Sequence, residues 1–339
     1  MNKQLINVIK YVAMLGIGVL LVWLTFKNVD ISETWEKIKN AHFIWMWMTA
    51  VCSLLAYFSR AYRWNMLIEP SGYKPKLMST FYAVCIAYFA NLAIPRIGEV
   101  TRCGTLSKKE KIPFDLLLGT VIVERVIDVL TLLLAMVILL FMEFDTMWRF
   151  LNDNVFGKFK PYFNLTNIAI AIVVLIVFGF IIRLIFKNEK SAAFNKKIKG
   201  FLLGLLTGLK SVMQLKNFPL FIFHSLFIWG MYLGMVFLGL RAMDSTAHLG
   251  STAAIFTLVA GGLGMTAPVQ GGIGAYHLLV ANGLLLFGID YADGIAFAWL
   301  MYLSQILQIA FFGLLALLML FLTKDHDAKK ETKTLEQQL

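Results

Sequence analysis

In a chain of 339 residues, 59% are apolar and 15% charged, and mean hydropathy is +0.74. That is too little charge for a soluble protein of this size, in which roughly a quarter of residues are ionic. The composition excludes an ordinary soluble enzyme and predicts an all-α, polytopic membrane protein. The net charge of +11 accompanies no nucleic-acid-binding motif.

The first apolar stretch, "YVAMLGIGVLLVWLTF" at 11 to 26, follows Lys3 and Lys10 and lacks a small-residue cleavage site. It reads as a retained signal anchor. Further stretches long enough to cross a bilayer, for which about 20 residues are needed, occur at 43 to 63, 116 to 142, 165 to 186, 218 to 240 and 296 to 322. Two apolar regions do not fit a simple crossing. Residues 79 to 94 stop at Pro95, and 252 to 288 is split by "TAPVQGGIG" around Pro268. Both read as broken or re-entrant helices, tolerated at membrane depth only where protein or water satisfies the freed backbone groups. The expected organisation is one membrane domain over 1 to 322, in halves of roughly 1 to 142 and 165 to 322. A polar, solvated tail over 323 to 339 follows.

Loop charges orient this arrangement. The segments 60 to 111 and 183 to 216 and the tail are rich in Lys and Arg, whereas 288 to 295 carries only Asp290 and Asp293. With six spans and two non-crossing segments, both termini fall in the cytoplasm. Loop 28 to 42, with Lys37 and Lys39, fits this scheme least well. Each half then reads span, span, broken segment, span, and three crossings per half invert one half relative to the other. Paired Gly/Pro-interrupted segments in an inverted repeat mark the binding site of many transporters. The bland alternative is two kinked helices in a structural membrane protein.

"PRIGEVTR" at 95 to 102 sets Arg96, Glu99 and Arg102 at three-residue spacing immediately after a proline, on one side of any helix that resumes there. The chain has eight arginines, and five of them (Arg60, Arg63, Arg96, Arg102, Arg125) lie between 60 and 125. Arginine presents a fixed fork of donors suited to phosphate or carboxylate, unlike the point charge of lysine. These residues are candidates for an anion site, the alternative being positive-inside charge that is arginine by chance. "VERVIDVL" places Glu124, Arg125 and Asp128 inside the 116 to 142 span, where each charge costs about 2.5 to 3.5 kcal/mol facing lipid. The charges must turn inward. Spacing makes an Arg125–Asp128 pair available, either as a functional network or as a salt bridge that locks helices.

Weaker features complete the reading. Gly200, Gly204 and Gly208, beside Lys197, Lys199 and Lys210, suit an interfacial amphipathic helix or close helix packing. His224 reads as a hydrogen-bonded core histidine; Gln305 and Gln308 either line a path or bridge helices, and Asn282 is uncommitted. Cys52, Cys85 and Cys103 are odd in number and lack metal-ligand spacing, so neither a disulfide framework nor a metal site is expected, and no motif calls for a cofactor.

"PRIGEVTR", "VERVIDVL" and "APVQGGIG", in this order and at these separations, resemble the lysylphosphatidylglycerol synthase transmembrane region, also called the flippase-like domain family. The likeness runs to about residue 322. It implies a bacterial or archaeal inner-membrane protein whose relatives move a modified phospholipid between leaflets. By motif, Pro95, Gly98, Glu99 and Arg102 match the first element, Glu124, Arg125 and Asp128 the second, and Gly271, Gly272 and Gly274 the third. The sequence departs from the family pattern at Gln270, where many members have a second proline, and at His277, where they have an acidic residue. His277 is therefore a candidate titrating group. No aminoacyl-transfer domain follows residue 322 in this sequence, so only the translocating part is expected. The expected activity is translocation of a phospholipid or lipid-linked anionic headgroup, with membrane lipids as partners. Ion-coupled transport of a small anionic solute is the alternative; an intramembrane enzyme lacks a nucleophile or metal set.

Overall fold

A computed structural model of the chain describes residues 29–94, 97–142, 215–267 and 269–336, with positions 20, 22, 23, 27 and 212 besides. The chain divides into two compact units, one of 1–139 with 215–339 and one of 140–214. Nearly all of the second unit lies outside the described residues, as do the expected span at 165 to 186, most of that at 11 to 27, the glycines at 200, 204 and 208, and Pro95, Arg96 and Pro268.

The described residues form helices and no strands. A short helix α1 (Ile31–Lys39) begins at Asp30, whose carboxylate accepts from the Ser32 N–H at 2.7 Å, an N-cap that satisfies one of the free amides of the first turn. Helix α2 (Phe43–Ile68) follows, then α3 (Leu77–Ala93), α4 (Gly98–Glu110) and α5 (Phe114–Met142). After the undescribed stretch come α6 (Phe218–Leu240), α7 (Ser251–Thr266), α8 (Ala275–Leu285) and α9 (Tyr291–Glu336). Among the described residues, three stretches are long and apolar enough to cross a membrane: Phe43–Ser71, Phe218–Leu240 and Tyr291–Leu322. Helix α9 does not stop at the polar tail but continues to Glu336.

The two interrupted segments are helical hairpins. Ile94 is extended (φ −134°, ψ 122°), as the residue before a proline is pushed to be, so α3 ends there. Helix α4 restarts at Gly98 and packs back on α3. The Gly98 N–H is bound by the Asn91 side chain at 2.7 Å, and a Cβ on Gly98 would lie 2.4 Å from the Ala87 carbonyl oxygen. Only glycine lets the chain pass. In the second hairpin, Ala267 (φ −54°, ψ 146°) has left the helix before Pro268, and Gly271, Gly272 and Gly274 turn the chain with φ of 60°, 69° and 80°, values costly for any residue with a Cβ. Gly283 faces Phe256, and Gly264 faces Tyr276, which makes α7 and α8 antiparallel.

Long helix, hairpin, long helix is thus written twice, as α2, α3/α4, α5 and as α6, α7/α8, α9. Corresponding helices start at Phe43 and Phe218, Leu77 and Ser251, Gly98 and Ala275, Phe114 and Tyr291, a spacing of about 175 residues each time, of the kind found in duplicated transporter folds. Helix α2 lies along α6, and α9 packs against both α3 and α8. The turn Gln270–Gly272 at the tip of the second hairpin touches α3. One apolar cluster surrounds α8 and the first half of α9 (Tyr276, Val280, Leu284, Phe297, Leu300). Another joins α2 to the first hairpin (Trp64, Phe81, Val84, Leu106), with Ala316 of α9. Trp47, Leu307, Phe311 and Phe321 are more than 60% exposed, a surface that suits lipid and not water.

Candidate functional site

Seven charged side chains from three helices meet where α2, α4 and α5 come together. Arg60 and Arg63 are three residues apart on α2, and Glu124 and Asp128 four apart on α5, so each pair occupies one face of its helix. Glu124 is fully buried and accepts from Arg60 Nε at 2.6 Å, Arg102 Nη1 at 2.9 Å and Arg63 Nη2 at 3.3 Å. Asp128 accepts from Arg63 Nη2 at 2.7 Å and from Arg60 Nη2. The Arg60 guanidinium also donates to the hydroxyls of Tyr88 on α3 and Tyr232 on α6, and Arg63 to Ser225 Oγ on α6 at 3.3 Å. Arg102 lies over the Trp64 ring, 4.8 Å from its centre, and the Trp64 indole N–H is held by Thr120 Oγ1 at 2.8 Å.

Glu99 and Arg102 leave the same turn of α4 in different directions. Arg102 reaches Glu124, while Glu99 pairs with Arg125 at 2.8 Å. Arg125 is the most exposed of the set, with 45% of its side chain accessible, and its contact with Asp128 is long, 3.7 Å. The pairing that spacing makes available is present, but Asp128 is held chiefly by the two arginines of α2. Among the described residues, four guanidinium groups therefore face three carboxylates. Among the described residues, Nε and Nη2 of Arg102 and Nε of Arg63 are buried without a hydrogen-bond partner, although guanidinium donors in a low-dielectric site are costly to leave unpaired.

A cavity of about 340 Å³ opens beside this cluster. Arg60, Arg125, Asp128 and Tyr232 form one part of its lining; Thr49, Thr257, Ser304, Gln305 and Gln308 form another, and Trp229, Met235, Leu258, Met265 and Met301 are among its apolar residues. Gly261 and Tyr276 of the second hairpin belong to the wall. Both repeats thus contribute. Gln308 does what the sequence left open in both senses: it lines the cavity and bridges to Thr49 Oγ1 at 3.0 Å. His224 is bound to Ser59 at 2.8 Å, and Asn282 donates to the Leu278 carbonyl at 2.7 Å.

His277 lies outside this cavity wall. Its ring is fully buried, 3.9 Å from Trp299 and 4.8 Å from Tyr302 between centres, and Nδ1 accepts from the Gly274 N–H at 3.2 Å. It closes the glycine turn. Tyr88, Tyr232, Ser225 and Asn91 escape a reading of the sequence because a lone polar group in an apolar helix has no local signature. Among the described residues no group of His, Cys, Asp and Glu is arranged to hold a metal ion.

A family model described as the lysylphosphatidylglycerol synthase TM region matches residues 11–313. The chain belongs to this family. Among curated proteins, this lysylphosphatidylglycerol synthase TM region chain is 29% identical over 250 residues to the UPF0104 membrane protein MJ1078 of Methanocaldococcus jannaschii, covering 72% of this chain and 98% of that one. It is 27% identical over 126 residues to the UPF0104 membrane protein MJ1595 of the same organism, covering 36% and 38%. No solved structure matches the chain. Every residue of the charge cluster and of both hairpins lies inside the span matched by the lysylphosphatidylglycerol synthase TM region.

Proposed function

We propose that this membrane protein translocates a phospholipid or lipid-linked headgroup bearing a phosphate between the leaflets of the cell membrane, with both termini in the cytoplasm. The observation that carries the reading is the charge cluster beside the cavity: among the described residues four arginines meet three carboxylates, Arg60 and Arg125 line the cavity, and Arg102, buried behind them, keeps two donors unpaired. A purely structural network would tend to balance its charges and use its donors. An excess of guanidinium forks next to a cavity supports a passing anion. The headgroup enters the cavity while its tails stay in the bilayer. Glu124 and Asp128 hold the arginines in place, and Glu99 fixes Arg125, so the forks stand ready before the anion arrives. Arg96, in the first motif, is proposed to act with them.

Reconstitution into vesicles with headgroup-resolved lipid assays tests the reading. Phosphate-bearing lipids should exchange between leaflets faster in protein-containing vesicles than in empty ones, and Arg102→Ala should abolish the difference. Uptake of a soluble anion without any lipid movement would replace this reading with ion-coupled solute transport.

A further inference from the structure

We infer that the cavity has a second, uncharged subsite, formed by Thr49, Thr257, Ser304 and Gln308, that recognises the hydroxyls of a polyol carried on the phosphate. The inference rests on the translocase reading and narrows its substrate to a phosphate-linked polyol such as glycerol or inositol. Amine-bearing headgroups are disfavoured.

The geometry fixes the chemistry of this subsite. Thr49 Oγ1 donates to the Met46 carbonyl at 2.7 Å, so its hydroxyl proton is committed and the oxygen can only accept. The Gln308 group 3.0 Å from it is therefore the NH2 end of the amide, which also donates to Ser304 Oγ at 2.9 Å. That leaves Gln308 Oε1 as an acceptor, and among the described residues it has no partner. Thr257 Oγ1 and Trp229 Nε1 are likewise buried without one. All three side chains line the same cavity and come from three different helices, α9, α7 and α6. One acceptor, one donor and one hydroxyl that can be either suit a ligand whose groups both give and receive hydrogen bonds, as hydroxyls do.

Charge argues against an ammonium group. The one carboxylate among the described lining residues is Asp128, already held by Arg60 and Arg63. An ammonium group in the cavity would find no free counter-charge beside Gln308, and burying an unpaired charge is far costlier than burying a hydroxyl.

The test is native mass spectrometry of the purified full chain with an equimolar mixture of phosphatidylinositol, phosphatidylglycerol, phosphatidic acid and phosphatidylethanolamine of identical acyl chains. The two polyol lipids should be retained about five- to tenfold over phosphatidic acid, the ratio expected from one or two extra hydrogen bonds, with phosphatidylethanolamine retained least. Gln308→Leu should bring the ratio of polyol lipid to phosphatidic acid toward one. Thr257→Val, which keeps the side-chain shape, should reduce it in the same direction if the leucine variant does not fold. Equal retention of phosphatidic acid and the polyol lipids, preferred retention of phosphatidylethanolamine, or a ratio unchanged in a folded variant would overturn the inference. Glycerol 3-phosphate as competitor separates a lipid from a free polyol phosphate: displacement at concentrations comparable to the lipid would overturn the lipid part. Leaflet exchange measured in parallel keeps the two ideas apart. Selective binding without exchange sinks the translocase and leaves the polyol subsite standing; exchange without selectivity does the reverse.

Discussion

Replacing Glu124 with glutamine should be among the most damaging single changes of a charged residue in the described part of the chain. Glu124 is fully buried and accepts three charge-assisted hydrogen bonds, two of them short, 2.6 Å from Arg60 and 2.9 Å from Arg102. Bonds to charged groups contribute about 1.5–3 kcal/mol each, so the two short ones together account for about 3–6 kcal/mol. This agrees with the roughly 3–5 kcal/mol lost when one partner of a buried ion pair is removed. Glutamine keeps the size but turns an amide NH2 toward guanidinium donors, and four arginines then face two carboxylates. Removing one arginine as well should relieve part of that excess. Thermal unfolding in detergent, followed by tryptophan fluorescence, should rank Glu124→Gln lowest, with Glu124→Gln combined with Arg102→Leu above it. The coupling between the two sites should be about 1–3 kcal/mol. If the double variant unfolds at the temperature expected from adding the two single losses, the residues do not act as one buried network and the reasoning fails.

Arg102→Lys should lower headgroup exchange about tenfold at matched protein amount, since lysine keeps the charge but cannot hold Glu124 and present a planar fork together; exposed Lys108→Ala should stay within about twofold, and the reverse order would misplace the anion site. Gly264→Ala should reduce the yield of monodisperse protein sharply, because its Cβ would lie 2.6 Å from the Tyr276 backbone, whereas Gly104→Ala meets nothing within 4 Å and should be neutral or stabilising by up to about 1 kcal/mol. Equal yields would show that the α7/α8 hairpin is not packed as described. Cysteines introduced at 195 and 330, in a background without Cys52, Cys85 and Cys103, should label from the cytoplasm, and one at 291 from outside. Labelling of 291 and 330 from the same side would remove the inverted arrangement of the two repeats.

The hairpins were legible because proline and glycine act locally: the breaks after Ile94 and Ala267 follow from the residue next in sequence, whatever the rest of the chain does. The inward-facing charges of α5 were legible for a similar reason, since lipid leaves a charged helix few alternatives. Their partners were less so. Spacing along one helix suggests Arg125 for Asp128, but the short contacts come from Arg60 and Arg63 on another helix, and sequence separation carries no information about which helices touch. The same limit hid Tyr88 and Tyr232. Gln308 and Thr49, 259 positions apart, could be linked only once α2 and α9 were seen to pack.

Helix α9 touches both hairpins through glycines. Gly294 lies against Ala281 of α8, and Gly313 against Phe89 of α3, about 28 Å apart along an unbroken helix at 1.5 Å per residue. A rod gripped at two points transmits displacement without absorbing it. Beyond these close approaches, Trp299 and Tyr302 of α9 pack against His277 of α8, so a tilt of that hairpin would carry α9 with it. A tilt of either hairpin would therefore reach the other through α9, which ties the two ends of the fold together mechanically.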